Sequence, residues 1–252
     1  MIDCLATHPA LLDLFDAHVP NNPALWAVFL GHHTGLAIVD DLQHPQQCLL
    51  RTEALLTYAS RGISRDFLVK GLEHLRQRGS IWLVRSPGDP LAPAGFKVQP
   101  RLEFYNYDRT SSELKVIREK LPDQYVLRKI DMGLLQRCAW RDEMAFYCGS
   151  LENFLRYGFG ICLMDEEKIV VEAYASALGS PYAEIGAITH EPYRNRGYAS
   201  ITVAYLLEAL EIRGYHGYWS CDVDNLASAK IARKLGFRTE RVYEIWVYEA
   251  RT

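Results

Sequence analysis

The sequence predicts a mixed α/β protein built as two similar halves, and two observations carry that expectation. In the C-terminal half, apolar runs of strand length alternate with apolar runs of helical length. The N-terminal half repeats that order more weakly, and each half closes with Gly-Phe followed by a strand. At 252 residues the chain has room for one large domain or two small ones.

The first half reads as follows. "LWAVFLGHHTGLAIVDDL" (25–42) predicts a hairpin around His33-Thr34-Gly35, and "CLLRTEAL" (48–55) a strand. "SRDFLVKGLEHLRQRG" (64–79) predicts a helix and "SIWLVR" (80–85) a strand. "AGFKVQPRLEFYNY" (94–107) ends the half. The charged segment "DRTSSELKVIREKLPDQ" (108–124) is the natural boundary, so domains are expected at 1–115 and 116–252.

The second half is clearer. "YVLRKID" (125–131) predicts a strand, with Asp131 placed to cap the next helix. "FGICLMDEEKIVVEAYASAL" (159–178) is a hairpin around Asp165-Glu166-Glu167-Lys168, and "AEIGAIT" (183–189) another strand. "YRNRGYASITVAYLLEAL" (193–210) opens a helix that Gly214 ends. In the strand "YWSCDVD" (218–224), Trp219, Cys221 and Val223 share one face. "LASAKIARKLGF" (226–237) is a short helix with Gly236 at its C′ position, and "ERVYEIWVY" (240–248) a closing strand. Set beside 94–107, the stretch 235–248 also carries Gly-Phe and a glutamate eight residues after the glycine (Glu103, Glu244). Arg61-Gly62-Ile63-Ser64 likewise stands where Arg196-Gly197-Tyr198-Ala199 stands later. An internal repeat accounts for these matches, and chance similarity between two α/β halves is the competing account.

Composition excludes several classes. A net charge of −3 gives no basic field, so nucleic acid is not an expected partner. No apolar run reaches transmembrane length, so no membrane partner is expected, and the start lacks the positive n-region of a signal peptide. Six scattered cysteines without CxxC spacing read as reduced thiols in a cytoplasmic protein. His32-His33 points to opposite faces of a strand and has no ligand cluster nearby, so no metal is expected.

The chemistry concentrates at residues 194–200. A pyrophosphate can be held by backbone N–H groups at a helix N-terminus, helped by the helix dipole. Close approach favours glycine at the turn and a small residue just inside. Gly197, Ala199 and Ser200 supply this, with Arg194 and Arg196 adding charge. Taken alone, Arg-Gly before a helix is equally the solvated start of a buried helix.

The motif has company. A strand with Glu184, then R-x-x-G-x-A, a helix, a strand, Asn225, a helix and Gly-Phe together resemble the GNAT superfamily of N-acetyltransferases. Residues 194–199 match its acetyl-CoA signature Q/R-x-x-G-x-G/A, and "NLASAKIARKLGF" (225–237) matches its second landmark. The resemblance covers residues 125–252, and within the superfamily it is nearest to the family that includes zwittermicin-resistance acetyltransferases.

The resemblance implies a GNAT fold for the second half: a mixed central sheet flanked by helices, preceded by a degenerate GNAT-like domain in tandem. Acetyl-CoA would be the co-substrate. Its pantetheine arm would lie along Ala187, Ile188 and Thr189, and its pyrophosphate at Arg196, Gly197, Tyr198, Ala199 and Ser200. Asn225 and Ser228 would meet the cofactor further along. Glu184 would be the general base that deprotonates a small-molecule amine, with Glu172 and His190 as other candidates. A backbone N–H near Ile188 would meet the oxyanion. The family's tyrosine general acid maps onto Ala232, a departure that leaves Ser228 as the nearest hydroxyl. The resemblance leaves room for a homodimer. It also keeps open a non-catalytic acyl-CoA sensor, while the acidic balance argues against aminoacyl transfer from tRNA. The first half shows no second site: Ala59 stands where the signature needs Arg or Gln. Its role would be to shape the acceptor pocket, with aromatics of "RLEFYNYD" (101–108) and "WRDEMAFYCGSLENFLRYGF" (140–159) as lining or, more often for such stripes, as core.

Overall fold

In the computed structural model, residues 1–84, 93–108 and 112–250 are described. The N-terminal half runs β1 (Ile2–Leu5), α1 (Asn22–Phe29), β2 (Gly35–Val39), β3 (Cys48–Thr52), β4 (Leu56–Ala59), α2 (Arg65–Arg76), β5 (Ile81–Val84) and β6 (Lys97–Tyr107). The C-terminal half adds α3 (Ser112–Arg118), β7 (Tyr125–Lys129), α4 (Met132–Leu135), α5 (Arg141–Cys148), α6 (Leu151–Tyr157), β8 (Phe159–Asp165) and β9 (Lys168–Gly179). It ends with β10 (Tyr182–Thr189), α7 (Tyr198–Ile212), β11 (His216–Asp222), α8 (Leu226–Lys234) and β12 (Phe237–Tyr248).

All these strands join one sheet in the order β1-β2-β3-β4-β5-β12-β6-β11-β10-β9-β8-β7. The order shows a reciprocal exchange. β12, the last strand of the second half, lies between β5 and β6 of the first. β6, the last strand of the first half, lies between β12 and β11 of the second. The antiparallel β6–β12 register pairs Glu103 with Arg241 and Pro100 with Glu244. Glu103 and Glu244, matched in the repeat, are thus related by a local pseudo-twofold between the two strands. The halves repeat in structure, but their sheets interlock.

Strand alternation separates the two faces. Ala183, Ile185, Trp219 and Cys221 point into a core with Val203, Leu206, Leu207 and Leu210 of α7 and Ala229 and Ala232 of α8. On the opposite face, α1 packs Ala24, Leu25, Ala27 and Val28 against Tyr58, Ala177, Tyr243 and Ile245. Further along that face, Met144 and Phe154 of α5 and α6 pack on Cys162, Met164 and Tyr174. Glu184, between Ala183 and Ile185, projects to this second face.

Most expected elements stand where the pattern put them. Asp131 caps α4 by accepting from Leu134 N–H, at 2.8 Å. Gly214 and Gly236 adopt positive φ (82° and 81°) after α7 and α8. Gly62 and Gly197, aligned by the repeat, both have positive φ (65° and 81°) ahead of α2 and α7. One expectation fails: the first arm of the hairpin at 25–42 is helix α1. A short, continuous apolar run does not separate a buried helix from a strand by period. Pro23, in the first turn of that helix, marks its start and was the overlooked signal. Arg85, the last residue of the expected strand 80–85, lies outside the described residues. No helix among the described residues is long and apolar enough to cross a membrane.

Candidate functional site

The strands β10 and β11 part company midway. Their parallel pairing runs from Tyr182–His216 to Ile185–Trp219 and stops, although β10 continues to Thr189. A β-bulge against β9 falls at the same place, between Glu184 and Ile185. Bulges re-aim strands beside functional sites, and this one opens a wedge in the sheet. A groove of ≈ 1150 Å³ occupies the wedge and runs to the N-termini of α7 and α8.

The groove gathers all the residues expected to meet a cofactor. Ala187, Ile188 and Thr189 form its β10 wall, and Arg194, Arg196, Gly197, Tyr198, Ala199 and Ser200 its end. Asn225 and Ser228 line the α8 side. Asn195 and Gly197 both take positive φ (62° and 81°), which curls the chain into the first turn of α7. Gly197 is the N-cap of α7, and no side chain caps the helix. The first-turn N–H groups therefore have no partner in the helix and face the groove. Omitting a cap costs about 1 kcal/mol. Burial of Ile201, Val203, Leu206, Leu207 and Leu210 contributes several times that, at about 2 kcal/mol each. The helix can leave its N-terminus unsatisfied.

The first half makes the opposite choice. At α2 the N-cap is Ser64, whose hydroxyl accepts from Phe67 N–H at 3.3 Å. The Ser64 N–H is itself taken by Gln47 Oε1 at 2.8 Å. The repeat's other helix start closes on itself.

Two lysines escaped the sequence reading. Lys230 and Lys234 line the groove with Ala227 and Ile231, as one stripe of α8. Lys234 Nζ lies 3.6 Å from where a Cβ on Gly197 would stand. With Arg194 and Arg196 they line the groove with positive charge, which suits a polyanion. Asn225 caps α8 through Ser228 N–H at 3.1 Å, and the Ser228 hydroxyl accepts from Trp219 Nε1–H at 2.9 Å.

Glu184 lies under the open end, one strand position before the groove wall. It does not itself line the groove; its partner Ser220, which donates to Glu184 Oε1 at 3.1 Å, does. Burial pushes the Glu184 pKa up, against the opposing pull of Arg101 and the Ser220 hydrogen bond. A carboxylate with a raised pKa and a polar neighbour at a groove is suited to accept a proton.

Glu172 is engaged otherwise. Fully buried, it accepts from Ala139 N–H at 2.7 Å and Trp140 N–H at 3.2 Å. His190 Nε2 lies 2.8 Å from the same carboxylate. Glu172 ties the turn before α5 to the end of β10, and that leaves little of it for substrate. Ala232, where a tyrosine acid would stand, is fully buried in the core. Trp140 reaches the groove wall. In the stretch 101–108, Tyr105 instead stacks on Tyr218, and Tyr107 packs at a tilt against Phe237. Among the described residues no three His, Cys, Asp or Glu side chains cluster as metal ligands would.

Comparison with known proteins agrees with this geometry. A family model described as GNAT acetyltransferase matches residues 13–246. A Bacillus subtilis (strain 168) protein described as the uncharacterized N-acetyltransferase YdfB is 30% identical over 129 residues. That match spans 50% of this chain and 49% of the relative, about half the length of each. Among solved structures, a GCN5-related N-acetyltransferase-like protein from Streptococcus suis 89/1591 superposes with a TM-score of 0.69 at 25% identity. That alignment covers 96% of this chain and 97% of the other. A tandem GNAT protein from the clavulanic acid biosynthesis pathway aligns over 100% of this chain and 98% of its own, with a TM-score of 0.64 at 13% identity. The fold is a mixed α/β GNAT fold in tandem arrangement.

Proposed function

The chain belongs to the GNAT acetyltransferase family, and on that premise we propose that it transfers the acetyl group of acetyl-CoA to the primary amine of a small molecule. One observation carries the reading: the uncapped N-terminus of α7 opens beside the parted strands, in a groove also lined by Arg194, Arg196, Lys230 and Lys234. The pyrophosphate would accept from the N–H groups of Tyr198, Ala199 and Ser200. The pantetheine arm would run antiparallel or parallel to Ala187–Thr189, using backbone groups that β11 leaves unpaired.

An alkylammonium has a pKa near ~10, so the acceptor must lose a proton before it attacks the thioester. Glu184, directly or through a water, takes that proton as general base. The amine nitrogen then bonds to the thioester carbonyl carbon, and the oxyanion is met by a backbone N–H near Ile188, on the side of β10 that β9 does not pair. Collapse expels the CoA thiolate, and the nitrogen, cationic again after the attack, gives up its second proton to water or to that thiolate, leaving a neutral amide. A thiol of pKa near ~8.5 leaves as an anion at little cost near neutral pH, so water can protonate it. The buried Ala232 is therefore compatible with turnover. Division of the repeat at 115/116, action in the cytoplasm, a homodimer and a role akin to zwittermicin resistance belong to the same proposal.

Calorimetric titration of acetyl-CoA into the wild type and Gly197→Trp tests the site. Binding by the wild type that the variant loses supports it, and release of free CoA thiol with a panel of primary amines then tests turnover. No binding by the folded wild type overturns it.

A further inference from the structure

The exchange of β6 carries a charged side chain from the N-terminal half into the second half's site. Arg101, on β6 opposite Asp222 of β11 and Tyr243 of β12, lines the groove. Its side chain is 21% exposed, and each of its three nitrogens donates a hydrogen bond. Nη1 donates to Asp222 Oδ1 at 2.5 Å, Nε to the Tyr243 hydroxyl at 3.2 Å, and Nη2 to the Ser220 hydroxyl at 3.4 Å. With its oxygen facing Arg101, Ser220 turns its own proton to Glu184 at 3.1 Å. A hydroxyl donates one bond, and a cation on one of its two lone pairs favours turning the proton away from it, toward the carboxylate.

We infer that Arg101 is a positioning residue for the acetyl-transfer site: through Ser220 it holds the Glu184 carboxylate and supplies the positive charge that faces it. This rests on Glu184 being the base. The groups around that carboxylate come from every element packed on it. β6 gives Arg101 and Glu103, β11 Ser220 and Tyr218, β12 Tyr243, β9 Tyr174, β4 Tyr58 and α5 Tyr147, while Asp222 and Glu143 act one step removed, on Arg101 and Tyr147. Of these, Arg101 is the group that lowers the Glu184 pKa by its charge, while Glu103 raises it. Burial opposes the charge on Arg101, and Tyr243, Asp222 and Glu184 together more than restore it. Arginine suits the task because it stays protonated while presenting separate donors to three partners. The second half alone would have a base with neither its counter-charge nor its ordered hydroxyl. The degenerate first half is part of the acetyl-transfer machinery through this one side chain.

The test reads the ionisation of Glu184 directly, without an acceptor amine. The protein is labelled with 13C at glutamate carboxyls, and the Glu184 resonance is assigned by its loss in Glu184→Gln. Its titration midpoint is then followed in the wild type, Arg101→Met, Arg101→Lys and Ser220→Ala. We expect the midpoint to move to higher pH in Arg101→Met and back toward the wild type in Arg101→Lys. Ser220→Ala leaves the Arg101–Asp222 pair in place and still removes a donor, so its midpoint also rises. An unchanged midpoint in folded Arg101→Met overturns the inference. Should that variant not fold, an unchanged midpoint in Ser220→Ala overturns it equally. Failure of the base reading looks different: Glu184→Gln would keep full acetyl transfer, whatever the midpoints do.

Discussion

Glu103 of the N-terminal half and Arg241 of the C-terminal half face each other on adjacent strands and form an ion pair near the middle of the sheet. Tyr218 also donates to Glu103, and Asn21 N–H reaches its Oε2 at 3.2 Å. The carboxylate side chain is 1% exposed. Removing the partner of a buried charge costs about 3–5 kcal/mol. Here two other donors remain, so we expect Arg241→Met to lose about 3 kcal/mol in urea unfolding. A loss within experimental error would show that the pair does not help to join the halves.

Gly197 faces two demands at once, a φ of 81° and an open path for a phosphate. Gly197→Ala strains the backbone by about 1 kcal/mol and should weaken acetyl-CoA binding modestly. Gly197→Trp should abolish it in calorimetry while the circular dichroism spectrum is kept.

The lysines of α8 act through charge. Lys234→Ala should weaken acetyl-CoA binding about tenfold at low salt, the loss of one charge-assisted hydrogen bond. The difference from wild type should shrink as salt is added. A salt-independent loss would point to packing instead.

Glu184 should set the acid limb of the pH–rate profile. Its pKa is raised above the ordinary 4.5 by burial, so the base is lost as pH falls through that raised value. We expect the limb above pH 4.5 and a fall of about 10²–10⁴ in turnover for Glu184→Gln, with acetyl-CoA affinity retained. The sign for stability is opposite. A carboxyl whose pKa is raised by folding stabilises below its unfolded pKa, and that contribution is lost as pH rises through the folded one. Melting of Glu184→Gln should therefore lose less than the wild type as pH increases across this range.

Glu172→Ala discriminates between the two carboxylates. It strands the N–H groups of Ala139 and Trp140 and should cost about 3 kcal/mol of stability. The acid limb should remain where the wild type has it. Disappearance of the limb would make Glu172 the base.

Legibility in the sequence followed the range of the forces. Turns and caps are local, so Asp131, Gly214 and Gly236 announced their roles by residue type. The α7 N-terminus was legible for the same reason, since a glycine directly after two arginines and before an apolar run is a local pattern. Helix α1 was not, because its apolar run is buried by strands of both halves and shows no period of its own. Lys230 and Lys234 could have been read from their spacing of four. Arg101 could not. It reaches Ser220 only because β6 crosses into the other half's sheet, and nothing in "QPRLE" states which strand will lie beside it.

The exchanged strands also order events during synthesis. β12 pairs with β5 and β6, whose residues are made more than a hundred positions earlier. Until residues 237–248 leave the ribosome, the first half has a gap in its sheet and two strand edges exposed. Until then the nascent chain must keep those edges from other chains and from each other. Aggregation of fragments that stop before residue 237 is where this architecture would show itself in a cell.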